Sequence, residues 1–228
     1  MLLSMNRFGM SVARGLVGLG LVAASSIGAY ALTVQELGVN PYETPTITCS
    51  GIGTVTVYTG INRLAVDGVP VNGFCIDPFH LSVSSSPNYQ YVPLTSAPKG
   101  YNMSAGVALD IERLWGSYYS PNMSATAAAG LQIAIWELVG GSYFQLNSAN
   151  DYGAAGYITS VTSPAYTGPV ADLIALSGPG QDYVVQNVPE GGVTVILLGG
   201  ALCALIMLHR KLAWKELAPR TTGSQPTR

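Results

Sequence analysis

Two cysteines, Cys49 and Cys75, a glutamine in an otherwise apolar run, Gln132, and an acid–imidazole pair, Asp77 and His80, are the groups in this sequence that could do chemistry. Cys75 lies in Gly73-Phe74-Cys75-Ile76-Asp77, an apolar, strand-like surrounding. A thiol reacts as its thiolate, and burial alone raises its pKa, so a reactive Cys75 needs a neighbour that favours the anion. His80 follows five residues later and is the one histidine between residues 32 and 192; its titration range makes it the nearest candidate. Asp77 and His80 offer two metal ligands, but no further His or Cys cluster completes a site. A single histidine among loop serines gives no Ser-His-Asp arrangement, and no Gly-rich run joins a strand to a helix as a phosphate loop requires. The expectation is a non-enzymatic protein without metal or cofactor; a hydrolase acting on envelope polymers is the least favoured class.

Gln132 is set in Leu-Gln-Ile-Ala-Ile-Trp-Glu-Leu-Val, residues 131–139, where only Gln132 and Glu137 are polar. A helix apolar almost all round is buried, and a buried carboxamide must have partners. Helical spacing puts Gln132 on one face with Ala128, Ala129 and Trp136, between small residues and a large aromatic. The simplest role is a core glutamine bonded to nearby backbone.

These side chains need a scaffold. Thr54–Tyr58 alternates with period two and reads as a strand; Arg63–Val69 and Val71–Ile76 read as two more, with a turn or bulge at Pro70 or Asn72-Gly73. Asp182–Val188 reads as a last strand. Met103–Tyr119 places Val107, Ile111, Leu114, Trp115 and Tyr118 at helical spacings. Ser120-Pro121 supplies a cap and first-turn proline for a second helix, about Pro121–Val139, which Gly140-Gly141 ends. Ser84–Pro98 reads as a loop, and Asn147–Pro169 as mostly loop with a short strand near Tyr157–Val161. The expected fold is α+β, a β-rich sandwich or barrel with an inserted helical pair, within about 155 residues that suffice for one core.

The termini indicate location. Residues 1–31 carry Arg7 and Arg14, an apolar segment and the ending Ala29-Tyr30-Ala31. This is the layout of a cleaved secretory signal peptide. At the other end, Val188-Pro189-Glu190-Gly191-Gly192 precedes the apolar run Val193–Leu208 and then His209-Arg210-Lys211. The basic cluster holds a transmembrane helix with Arg210 and Lys211 on the cytoplasmic side. Sixteen apolar residues span only about 24 Å, short of the ~30 Å hydrocarbon core, so the basic side chains must snorkel. The expected division is signal peptide 1–31, extracytoplasmic domain 32–187, sorting motif with membrane helix 188–212, and cytoplasmic tail 213–228. Residues 32–192 carry three basic against eleven acidic side chains, a balance of −8, which argues against a nucleic-acid partner.

In an oxidising compartment two cysteines invite pairing. A Cys49–Cys75 disulfide would close a loop of about 25 residues, worth ~3–4 kcal/mol by chain entropy. That use of Cys75 excludes any reactive one.

Two resemblances add to these readings. Val188-Pro189-Glu190-Gly191-Gly192-Val193-Thr194, the apolar helix and Arg210-Lys211 together resemble the VPDSG-CTERM variant of PEP-CTERM sorting signals. Glu-Gly-Gly stands here in place of Asp-Ser-Gly, and the tail Ala213–Arg228 continues past the point where family members usually stop. The resemblance implies an exosortase-type membrane protease as partner and release of the outer domain to the cell surface or exopolysaccharide matrix. Separately, Phe74-Cys75-Ile76-Asp77 with Leu131-Gln-Ile-Ala-Ile-Trp-Glu137 resembles the paired motifs of bacterial thioester domains, with Leu131 where the adhesins often have Thr or Ser. That resemblance implies an internal thioester between the Cys75 thiol and the Gln132 acyl group, shielded by Trp136. Asp77 and His80 would be supporting residues, and an amine or hydroxyl on a surface or matrix partner the nucleophile that opens the bond. The alternative is a passive, disulfide-stabilised structural protein of the envelope or matrix.

Overall fold

The computed structural model describes residues 31–188 apart from 81, 83 and 84. Within them the chain is mixed α+β, strand-rich, with two sheets and a few helices. The larger sheet comprises β1 (Leu32–Glu43), β4 (Thr59–Val66), β5 (Val69–Cys75), β6 (Ser85–Val92), β8 (Leu173–Ser177) and β9 (Tyr183–Gln186). It closes in the order β1-β4-β5-β9-β8-β6, all antiparallel. The smaller sheet runs β3 (Gly53–Thr56), β2 (Thr46–Cys49), β7 (Phe144–Leu146).

The β4–β5 hairpin turns at Asp67-Gly68, not at Pro70 or Asn72-Gly73. Both turn residues have positive φ, 48° and 82°, the demand of a tight two-residue hairpin that Asp-Gly meets well. Pro70 lies inside β5 opposite Ala65. The segment expected to be a loop at 84–98 contains β6, whose Tyr89 is buried while its neighbours are exposed. The alternation of Ser, Pro and Tyr there is a strand pattern masked by turn-forming residues.

Two helices cross between β6 and β7: α1 (Ala105–Tyr118) and α2 (Ala125–Gly140). Each begins at a serine, Ser104 and Ser124, whose hydroxyl accepts from the backbone N–H three residues on, Val107 and Ala127. Ser120-Pro121 does not cap α2; it forms a separate turn, closed by Met123 N–H on the Ser120 carbonyl. Gly141, with φ 49°, ends α2 as the double glycine suggests. A third helix, α3 (Ala154–Val161), replaces the expected strand near Tyr157–Val161. Ala154 and Val161 are buried and Ile158 is packed against the core between them, a helical spacing. The Asp151 carboxylate accepts from the Gly153 and Ala155 N–H groups at its start. Gly130 of α2 leaves room for the Tyr152 carbonyl, which a Cβ there would strike.

The core falls into two clusters on opposite faces of the barrel wall. Phe74 and Ile76 face one, with Ile61, Leu114, Trp115, Leu131 and Ile135 from the helices and neighbouring strands. Cys75 faces the other, with Val34, Leu64, Val66, Tyr89, Leu176 and Tyr183 from the barrel strands. Trp136, Cys49, Ile47 and Phe144, from α2 and the smaller sheet, complete this second cluster. Period-two alternation along β5 sends adjacent side chains into different surroundings.

Candidate functional site

The site grows from a gap in the barrel. The β4–β5 ladder ends at Asn62 opposite Gly73, while Gly60 and Thr59 pair only with β1, on the other edge of β4. On its other edge β5 still runs beside β9, with Ile76 N–H donating to the Asp182 carbonyl. Alternation along an antiparallel strand then turns the N–H and C=O of Cys75 away from β9, toward the space β4 has left. Buried backbone groups need partners. Gln132 supplies both: its Nε2 donates to the Cys75 carbonyl at 2.7 Å and its Oε1 accepts from the Cys75 N–H at 2.9 Å. The carboxamide thus stands in for a missing strand residue. Asn62 Nδ2 lies 3.5 Å from the same Oε1, a second and longer donor contact. Gln132 and Asn62 are 1% and 5% exposed.

Cys75 projects its sulfur from this anchored backbone into the barrel-side cluster. The sulfur accepts from the Asp77 N–H and the thiol donates to the Asp77 carbonyl, each at 3.3 Å. Trp136, one turn beyond Gln132 on α2, is buried, and its indole N–H has no hydrogen-bond partner. Trp136 belongs to the same buried cluster as Cys75. Burial pushes the Cys75 thiol far above the ordinary cysteine range, and the Asp77 charge adds to that; the Asp77 N–H and the Trp136 indole act in the opposite sense.

Asp77 follows β5 directly and is fully buried, with one carboxylate oxygen accepting from the Phe79 N–H and the other 2.7 Å from His80 Nδ1. His80 is half-exposed. Gln181 clamps this turn, its Nε2 donating to the His80 carbonyl at 2.6 Å and toward that of Asp77 at 3.4 Å. A cavity of about 220 Å³ opens here, lined by Cys75, Asn62, Trp136 and His80 and, farther out, Glu36 and Tyr58. Among the described residues no group of three or more His, Cys, Asp and Glu gathers to hold a metal.

The residues singled out by motif therefore occupy one place. Cys75, Gln132 and Trp136 meet, and His80 lines the cavity that Cys75 lines, paired with the buried Asp77. Cys49, at the end of β2, is buried in the cluster that holds Cys75, and both are free thiols; burial pushes Cys49 up to about 11. Val188 is exposed at the end of the described residues. Pro189, Glu190, Gly191, Gly192, Arg210, Lys211 and, apart from Ala31, the expected signal peptide at 1–31 lie outside them. Asn62 and Gln181 were not legible as site residues. For Asn62 a signal existed: an asparagine amid Ile61 and Leu64–Val66 is a depleted type in a strand and calls for a partner.

The arrangement can polarise an amide. Two donors meet at the Gln132 carbonyl oxygen, a thiol is borne by the residue that carboxamide grips, and a cavity gives access to the sulfur. Comparison of the chain with family models, with curated proteins and with solved structures finds no match.

Proposed function

We propose that this is an exported bacterial surface or matrix protein whose outer domain stores an internal thioester between Cys75 and Gln132 for covalent attachment to a nucleophile. The observation that carries the reading is the two-point grip of the Gln132 carboxamide on the backbone of Cys75, which brings acyl donor and thiol-bearing residue together in a nearly dry site. The resemblance of both motifs to thioester domains supports it. The reaction balances without a co-reactant: the Cys75 sulfur bonds to the Gln132 carboxamide carbon, the carbon–nitrogen bond breaks, and the thiol proton leaves with the nitrogen as ammonia. A partner's amine or hydroxyl later displaces the sulfur and restores the thiol. Burial of Cys75 and Gln132 limits the access of water in the interval.

The membrane helix and sorting motif at 188–212 belong to the same proposal, with an exosortase-type protease as processing partner. Fused to a reporter, residues 187–228 direct it to the membrane, and trimming occurs only in hosts with such a protease. Substituting Pro189 and Glu190 blocks trimming but not insertion, which depends on the apolar run and basic cluster. Unchanged trimming leaves a plain anchor.

A second reading has its own observation. Cys49 and Cys75 share one apolar cluster, which favours a disulfide-stabilised structural domain in which Gln132 is only a strand surrogate. The mass of the purified chain separates the readings: a thioester is lighter by one ammonia, a disulfide by two hydrogens, and the thiol form by nothing. With the thioester, methylamine adds once, at Gln132, and frees one thiol. Cys75→Ala abolishes both, and Cys49→Ala leaves both. No addition to the denatured wild type leaves the structural reading.

A further inference from the structure

Acyl transfer places negative charge on two atoms in turn, the carbonyl oxygen of the tetrahedral intermediate and the sulfur as it leaves. Fixed donors aimed at those atoms are usually the largest contribution a protein makes to such a step. Two donors meet Gln132 Oε1, from Cys75 N–H at 2.9 Å and Asn62 Nδ2 at 3.5 Å. The longer contact has room to tighten when the oxygen gains charge, as such contacts do on the way to a transition state. At the sulfur the Asp77 N–H is already engaged. The indole N–H of Trp136 is the orphan: its atom is fully buried, it has no partner, and Trp136 shares one buried cluster and one cavity wall with Cys75. Buried donors without partners are rare and costly in a folded protein. One packed beside the reacting residue has a use once that residue's sulfur carries charge.

We propose that Asn62 and Trp136 are catalytic residues of this site, Asn62 Nδ2–H stabilising the acyl oxygen and Trp136 Nε1–H the departing sulfur. The inference rests on the thioester reading and assigns Trp136 more than shielding. When an amine opens the bond, its nitrogen bonds to the Gln132 acyl carbon of the thioester while the carbonyl oxygen holds the charge on the Cys75 and Asn62 donors. The oxygen's electrons then return, the carbon–sulfur bond breaks, and the thiolate is received by the Asp77 and Trp136 N–H groups before taking the proton the amine has lost. The same donors serve bond formation, which traverses a like intermediate.

The test is the rate at which methylamine opens the bond in the full-length chain, followed by mass and by released thiol. Trp136→Phe keeps an aromatic wall and removes only the N–H and part of the ring; it slows opening about tenfold, the loss of one hydrogen bond to a charged atom. Asn62→Ala slows it by about 10²–10³, the usual effect of deleting one oxyanion donor. Asn62→Asp covers the case in which Asn62→Ala does not fold: its carboxylate cannot donate, but its protonated form can. Its rate relative to wild type therefore climbs as pH falls through the carboxylate's pKa, a profile that a merely structural role does not produce. If the wild type carries the bond and the variants that fold open at the wild-type rate, with no pH-dependent ratio for Asn62→Asp, this inference is overturned and the thioester reading stands. If the wild type shows neither ammonia loss nor methylamine addition, both fall.

Discussion

Phe74 and Cys75 are neighbours in sequence and occupy opposite sides of the barrel wall, and their surroundings differ in kind. Phe74 meets Trp115 and Tyr119 edge to face at 5.5 and 6.1 Å, among aliphatic side chains from α1 and α2. That side is ordinary core, stabilised by apolar burial and ring geometry. Cys75 shares its cluster with Cys49, Tyr89, Tyr183 and Trp136, whose buried indole N–H has no partner. Burial raises the pKa of both thiols and both phenols there. One face is built so that nothing can react. The other retains polar atoms whose desolvation is only partly offset. A protein that keeps such groups inside stands to lose stability by them, and a use for them is the simplest physical reason to retain them.

The comparison can be broken by mutation. Phe74→Ala should cost the fold about 3–5 kcal/mol, the usual range for a buried aromatic truncated in a packed core, measured by denaturant unfolding. Gln132→Ala should come next, because it orphans the Cys75 N–H and C=O together, each worth about 1–3 kcal/mol when left buried and unpaired. Measured against wild type whose Cys75 sulfur is unbonded, Cys49→Ala and Cys75→Ala should each cost only about 1 kcal/mol, the scale of a single small-group deletion. If Cys75→Ala destabilises as much as Phe74→Ala, the distinction between the faces is lost.

Alkali sharpens it further. The raised Cys49 thiol is protonated in the folded chain up to about 11, whereas its unfolded counterpart ionises near 9.0. The unfolded chain therefore sheds this proton first, and stability is full below pH 9.0 and declines as pH rises toward about 11. Cys75 adds to this decline in the thiol form and is silent once its sulfur is acylated, so the alkaline slope should be shallower for chain carrying the bond. Equal slopes before and after methylamine treatment would count against acylation of that sulfur. The smallest effect is expected of Trp136→Phe on stability. Removing an orphaned donor offsets part of the lost ring contact, leaving a net change within about 1 kcal/mol.

What the linear sequence determined is whatever consecutive residues or a fixed period encode. The apolar runs of α1 and α2 and the alternation of β3 and β5 are legible because a helix or strand buries one face at a constant interval. The layouts at residues 1–31 and 188–212 are legible for a related reason: hydropathy and flanking charge are properties of adjacent residues. Gln132 was marked as a polar atom that had to find a partner, though not which one. Short elements were harder. β6 carries serine and proline that read as loop, and α3 reads as loop with a short strand; only packing against β1, β8 and α2 selects strand in one and helix in the other.

Tertiary structure alone decided the partners. Nothing near Cys75 in sequence announces that β4 pairs with β5 only from Asn62 onward, so that two backbone groups are exposed to a carboxamide from 57 residues away. Nor does local pattern announce that Asn62 reaches the same oxygen from 70 residues away, or that the Trp136 indole is left without an acceptor. A hydrogen bond depends on position to a few tenths of an ångström. Hydrophobic periodicity fixes which way a side chain faces, and the closing of the barrel fixes what it finds there.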